Sequence, residues 1–268
     1  MASVGETPDN LVYVFTAIAF AGVMALESLL PRRELAAGLA NRWLSNFGIG
    51  ALNWYLTTVL GTWVLIWLSQ WAALHQLGLL NRIGAPHWLG FLLLLLSTQL
   101  VSYWLHRAFH EVRWLWPIHA VHHSDVDVDV STSYRHHPLE PLISLPITAP
   151  LVIALGVSME AALAYRVFAV AATLLSHSNV YIPRRADRVL RYLLLTPDYH
   201  RLHHCSDPQY TNSNYGSLVP WFDYLFGTAR QRPFDEQASM ELGLEYLREP
   251  RDSRLDQLLL TPLHMRQP

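Results

Sequence analysis

The stretch Trp88-Leu-Gly-Phe-Leu-Leu-Leu-Leu-Leu-Ser-Thr-Gln-Leu-Val-Ser-Tyr-Trp-Leu105 runs without a break into His106-Arg-Ala-Phe-His110. The apolar part suits a spanning helix, which needs roughly 17–25 residues. If that helix continues past the membrane surface, His106 and His110 sit one turn apart just outside the lipid. One segment therefore predicts both the class of fold and the place of the chemistry.

Working outward, Leu11 to Leu30 is a second apolar run of spanning length, stopped by Pro31-Arg32-Arg33. No arginine precedes it, and Glu6 and Asp9 make its leading end acidic, so it lacks the positive start of a signal peptide. Another run extends from about Phe47 to Leu68, with Asn53 and its threonines expected to face other helices rather than lipid. Gln70 to His87 reads as an interfacial connector anchored by Trp71 and Trp88. Two more segments, Leu142 to Val157 and Glu160 to Leu175, flank Gly156-Val-Ser-Met, which suits a helical hairpin, and Pro146 and Pro150 are expected to kink the first of them. Arg166 is costly against lipid and is expected to snorkel or to pair inside the bundle.

Composition agrees with this outline. Of 268 residues 51% are hydrophobic, only 15% are charged, and ten are tryptophan, which points away from a soluble domain. A net charge of -2 gives no case for a nucleic-acid partner. The single cysteine, Cys205, excludes an internal disulfide framework and reads as a small buried neighbour of His204. Arg32, Arg33 and Arg42 follow the first run, only Arg82 the second, and Arg107, Arg113 and Arg135 the third. Positively charged connectors favour the cytoplasm, so the histidines are expected on that side of an inner or plasma membrane. The expectation is an all-α, multi-pass integral membrane protein with about four to five membrane-embedded helices and a cytoplasmic helical cap carrying a histidine-rich dimetal site. Residues 1–268 form a single membrane domain: three spanning helices over 11–105, first histidine clusters over 106–137, a helical hairpin over 138–176, and second clusters with the cap over 177–268.

Eleven of the fourteen histidines fall between His106 and His137 or between His177 and His204. On a helix, residues three and four apart share a face, so His106/His110, His119/His122/His123 and His200/His203/His204 can each present a row of ring nitrogens to one side. His177 and His137 can supply two more. A tetrahedral zinc takes three or four ligands, so roughly ten converging imidazoles imply two metal ions. Geometry alone leaves the metal open. An all-nitrogen set, a membrane setting and spare positions for oxygen favour iron, while affinity trends let zinc substitute on isolation. Glu111, Asp125, Asp127, Glu140 and Asp198 are candidates to orient the rings by accepting their second N–H groups. His75, His87 and His264 stand outside the clusters and read as interfacial or surface residues. Tyr199, Tyr210 and Tyr215 read as packing residues.

These motifs resemble the fatty acid hydroxylase and sterol desaturase superfamily of membrane di-iron enzymes, over roughly Trp104 to Thr228. His106-x3-His110 and His119-x2-His122-His123-Ser124 look like its first two boxes, and His200-x2-His203-His204 like its last. Arg135-His136-His137-Pro138-Leu139-Glu140 resembles an intermediate element in which the histidine before the proline is retained, which favours His137 over His136. Ser176-His177-Ser178-Asn179 resembles another. Asn214-Tyr215-Gly216 and Trp221-Phe-Asp223-Tyr-Leu-Phe226-Gly227-Thr228 look like the closing signature, with Phe222 standing between Trp221 and Asp223 where many members have no residue.

The resemblance implies two irons that, reduced by an external electron carrier, use dioxygen to hydroxylate or desaturate a C–H bond of a membrane lipid such as a sterol or fatty acyl chain. No segment reads as a fused reductase or haem domain, so a separate ferredoxin or small cytochrome with its reductase is the expected donor. Two other classes compete. A membrane zinc hydrolase wants a carboxylate base in a pattern such as His-Glu-x-x-His, which the chain lacks. A metal transporter places its ligands within the spans, whereas these clusters follow the spans or lie beyond them.

Overall fold

The computed structural model describes residues 8–35 and 40–265. The acidic leading end expected at Glu6 lies outside the described residues. Among those described the chain is helical, with isolated β-bridges joining Pro31 to Val180 and Cys205 to Leu242. Helix α1 spans Pro8–Leu29, and α2 (Ala40–Trp54) passes through one π-helical stretch, Tyr55–Leu60, into α3 (Gly61–Leu74). After the short α4 (Leu79–Ile83) comes α5, His87–Glu111, which carries the quoted apolar run and both following histidines on one helix. Then follow α6 (Trp116–His123), α7 (Leu139–Thr148), α8 (Pro150–Leu155) and α9 (Met159–Ser176). The remainder holds α10 (Arg184–Leu190), α11 (Pro197–His203), α12 (Pro208–Thr211), α13 (Trp221–Phe226) and α14 (Leu255–His264).

Among the described residues, four helical segments are long and apolar enough to cross a membrane: Asn10–Leu29, Asn41–Leu74, His87–Glu111 and Met159–Ser176. Leu139–Leu155 is apolar but shorter, with Pro146 inside its first part, Pro150 opening its second and left-handed Gly156 ending it. The second span runs well beyond the expected Leu68 and takes in Trp71, so the connector reduces to α4 and its flanking turns. Leu11, Val14 and Ile18 on α1 and Trp63 and Trp67 on α3 are exposed, as side chains that face lipid must be. This is the build of an integral membrane protein.

Helix α9 is the hub, packed on α1, α3 and α5. Arg166 on α9 turns into the bundle, its Nε donating to Thr62 Oγ1 at 3.2 Å and its Nη2 to Thr57 O. Asn53 Nδ2 donates inward to Tyr134 O at 3.0 Å, in keeping with the helix-facing role expected for it.

The connector after α1 is tied to the histidine end. Arg32 pairs with Asp198 at 3.0 Å, Arg33 Nη1 donates to Met240 O at 2.9 Å, and Arg42 pairs with Asp125 at 2.5 Å and Asp129 at 2.6 Å. Glu27, near the end of α1, accepts the backbone N–H groups of both Val130 (3.0 Å) and Asn179 (2.9 Å). These contacts place the α1–α2 connector and the cap on one side of the bundle.

At the other end the backbone turns tightly. Gly156 has φ +69° and ends α8, and a Cβ there would stand 2.6 Å from Leu77 O. A Cβ on Gly78 would fall 2.1 Å from Gly156 N. Gly156→Ala is therefore expected to cost about 1–3 kcal/mol through left-handed strain and backbone collision. A lowered thermal midpoint in detergent, with metal content per folded chain unchanged, is the measurement.

Candidate metal centre

Four parts of the chain deliver imidazoles to one end of the bundle. Helix α5 extends past its apolar run to carry His106 and His110 on its last turn and a half. Pro117 in the first turn of α6 suits a helix start, and that helix carries His119, His122 and His123. Thr196 caps α11 by accepting the Tyr199 N–H, Pro197 follows it, and His200, His203 and His204 lie at the end of that helix. His177 closes α9.

Two groups result. His106, His110, His119, His123 and His203 present ligand atoms within 4.8 Å of one another, and His122, His177, His200 and His204 do the same. Each His-x2-His-His row is split rather than presented whole to one side. On α6 the pair four apart, His119 and His123, joins the first group and His122 joins the second. On α11 the pair four apart, His200 and His204, joins the second and His203 the first. Adjacent helical residues point about 100° apart, so a helix lying between two sites serves both. The groups adjoin, with the His123 and His204 rings stacked at 4.6 Å between centroids.

The tautomers are set from outside. Nδ1 of His106 faces Tyr215 O at 2.8 Å, that of His203 faces Ser213 O at 2.6 Å, that of His177 faces Thr173 O at 2.8 Å and that of His122 faces Arg135 O at 3.3 Å. A carbonyl only accepts, so each Nδ1 carries the proton and each Nε2 a lone pair. His119 Nδ1 faces Glu140 Oε2 at 2.9 Å, with the same consequence. Yet Nε2 of His106 stands 2.9 Å from that of His119 and 3.1 Å from that of His203, and Nε2 of His122 stands 3.3 Å from that of His177.

Lone pairs turned on one another at such distances repel unless a cation lies among them. Both nitrogens of His123, and Nδ1 of His200 and His204, are buried with no hydrogen-bond partner among the described residues. Burial, reinforced by the neighbouring rings, holds His122, His123, His200, His203 and His204 well below the usual imidazole pKa, and burial takes His177 down to about 3. The rings are thus in the neutral form that ligates metals. Two cations fit the donor set.

The structure leaves His137 out of both groups, contrary to the expectation. Its Nδ1 accepts the Leu139 N–H at 3.2 Å and its Nε2 faces Leu259 O at 3.2 Å, so both nitrogens are spent where α7 begins. His136 takes the place nearer the centre: its ring stacks on His122 at 3.9 Å, and its Nδ1 lies 3.0 Å from Glu140. Of the acidic candidates, Glu140 orients a ring. Glu111 is paired with Arg107, Asp125 with Arg42, and Asp198 with Arg32 and Arg201, while Asp127 is buried with its carbonyl accepting from Arg42. Carbonyls do most of the orienting because a loop can bring its backbone to a ring without burying another charge. Cys205 lies in an apolar cluster with Val128, Leu202, Met240 and Leu242 and joins neither group.

The closing signature proves to be the support of the first group. Asp223 is buried and accepts the N–H groups of Tyr215 (2.7 Å) and Gly216 (2.8 Å), the Thr228 hydroxyl (2.8 Å) and the Tyr199 hydroxyl (3.2 Å). A Cβ on Gly216 would meet that carboxylate at 2.8 Å, which explains the glycine. The strap so held, residues 212–216, offers Asn212 Oδ1 to His110, Ser213 O to His203 and Tyr215 O to His106. Sequence reading singled out the motif without giving Asp223 a role; its spacing behind Asn-Tyr-Gly is the signal.

The fatty acid hydroxylase family model matches residues 91–228, just over half of the chain, and takes in both groups. The chain belongs to the fatty acid hydroxylase family. Among curated relatives, a very-long-chain aldehyde decarbonylase of Oryza sativa subsp. indica is 34% identical over 142 residues, covering 49% of this chain and 21% of the relative. Alkylglycerol monooxygenases of Xenopus tropicalis and Homo sapiens are each 31% identical, over 53% and 50% of this chain and 30% and 29% of their own lengths. The chain therefore matches less than a third of each of these relatives. No solved structure matches it significantly.

Proposed function

We propose that this member of the fatty acid hydroxylase family is an O2-dependent oxidoreductase that hydroxylates or desaturates a C–H bond of a membrane lipid. The observation that carries the reading is the pair of adjoining imidazole groups whose Nε2 lone pairs face one another at the end of an apolar helical bundle. Two irons bound there supply the oxidising power and the oxygen chemistry. His106, His110, His119, His123 and His203 hold one ion, and His122, His177, His200 and His204 the other.

The remaining steps belong to the chain's own residues. Carbonyls of Tyr215, Ser213, Thr173 and Arg135 keep each Nδ1 protonated and each Nε2 free to ligate. A cavity of about 200 Å³ is lined by His106, His119, His122, His177 and His200 together with Leu105 and Phe109. Leu105 and Phe109 offer a hydrocarbon segment apolar contact beside the rings. The alkylglycerol and aldehyde chemistry in the relatives' names supports a lipid substrate. Electrons come from a separate carrier such as a ferredoxin or small cytochrome. The histidine end faces the cytoplasm, a reading supported by Arg32, Arg33, Arg42, Arg107, Arg113 and Arg135 on that side against Arg82 on the other.

Protein purified so as to retain iron should hold about two irons per chain. Lipids of a host membrane with and without the chain should differ by one added oxygen or two lost hydrogens. An iron-loaded, folded protein that leaves every lipid mass unchanged in the presence of a reductant and oxygen contradicts the reading.

A further inference from the structure

A second cavity, about 260 Å³, lies beside the first and shares His136, Glu140, Ser144 and Thr173 with it. It follows the face of α9 marked by Thr173, Val170, Ala169 and Arg166, so one end meets the metal centre and the other meets a guanidinium. Arg166 lies in the Met159–Ser176 span, eleven residues before His177 and hence roughly 16 Å from it along the helix axis. A cation at this depth is costly, and in membrane proteins such residues mark substrate or ion paths.

The partners of Arg166 do not account for its charge. Nε donates to Thr62 Oγ1 at 3.2 Å, and Nη2 donates to Thr57 O and, at 3.4 Å, to Thr58 Oγ1. All three acceptors are neutral, no Asp or Glu pairs with Arg166 among the described residues, and Nη1 donates to nothing there. The acidic group on the cavity wall, Glu140, is engaged by His119 and His136 at the opposite end. The supporting wall is irregular where it meets the guanidinium, since Thr57 and Thr58 belong to the π-helical stretch, a feature often found at functional sites. An apolar chain end placed on this floor would strip water from a cation and return nothing. An oxyanion accepting from the remaining Nη1 would compensate the charge with a charge-assisted hydrogen bond.

We infer that Arg166 is the anchoring residue of a substrate subsite, and that the lipid carries a carboxylate which binds at the cavity floor while its chain runs along α9 to the histidines. The inference rests on the proposed oxidase reading and narrows it. The carbon offered to the metal centre is then several methylenes from the charged end. An anionic substrate also sets this chain apart from the alkylglycerols and aldehydes in its relatives' names.

The test compares hexadecanoate with methyl hexadecanoate by calorimetric titration of the iron-loaded protein in an uncharged detergent. The acid should bind at least about tenfold more tightly, the scale of one charge-assisted hydrogen-bonded pair. Arg166→Met should erase that preference while leaving ester affinity unchanged, and Arg166→Lys should keep part of it. Equal binding of acid and ester to the unaltered protein overturns the inference and needs no variant; so does a preference that survives Arg166→Met. Iron content and oxygen consumption, measured on the same preparation, test the oxidase reading separately. A protein that holds iron and consumes oxygen yet binds both ligands alike sinks only the subsite.

Discussion

His122→Ala should lose one of the two metal ions and all product formation. Its Nε2 stands 3.3 Å from that of His177, and its ring lies 4.5 Å from that of His204, so it completes the four-membered group. Removal leaves His177, His200 and His204, with a void where a ligand and the His136 stacking partner had been. Loss of an outer-shell partner alone costs roughly 10–100-fold in metal affinity, and loss of a ligand costs more. The five-membered group keeps every member. Elemental analysis should fall from about two ions per chain to about one, and product should drop below detection. A folded His122→Ala protein that holds both ions and turns over lipid at the normal rate would remove the four-histidine group from the mechanism.

The second large effect is expected at a residue that touches no imidazole. Asp223→Asn replaces one acceptor oxygen by an NH2 group facing the N–H of Tyr215 or Gly216, which leaves a buried donor opposed by another. The strap of residues 212–216 then loosens, and three rings of the first group, His106, His110 and His203, lose the acceptors that orient them. Metal affinity at that group should fall by roughly 10–100-fold, while the four-membered group, oriented by Thr173 O and Arg135 O, stays loaded. Competition with a graded chelator should show one ion leaving early and one late, where the unaltered protein releases both late. Thr228→Val, which removes one of four donors to the same carboxylate, should shift the early ion in the same direction by less. Simultaneous release of both ions from Asp223→Asn would mean that the strap supports the whole fold rather than one group.

The two variants together test the division of labour within the His-x2-His-His rows. Neighbours in sequence fall in different groups, so His122→Ala and His123→Ala should empty different positions. Spectra of the singly loaded proteins should therefore differ, although the substitutions are adjacent.

Much of this was legible in the linear chain. A run of apolar residues long enough to cross hydrocarbon is a local property, and so is a three- or four-residue spacing on a helix, so the spans, the bundle class and the clustered histidines could be read directly. Pro146 and Pro150 marked the shorter hairpin helix for the same reason. What the chain alone could not assign was membership: His106 meets His203, 97 residues away, and the side of a helix that faces a partner is fixed only when that partner packs. The row on α6 was thus expected to face one way and instead straddles two groups.

His137 and His136 show the limit most clearly. They are adjacent and set before the same proline, and their difference comes from where α7 and α14 dock. Leu259 O and the Leu139 N–H consume His137, while the stack on His122 and the pairing with Glu140 claim His136. Asp223 makes the same point from the other side, since a carboxylate becomes a support only when a backbone strap folds over it. Apolar length and helical period determined that this is a bundle of spanning helices with its histidines clustered at helical spacing. Long-range packing decided which nitrogen faces which site, because ring direction depends on contacts that no stretch of the chain contains by itself.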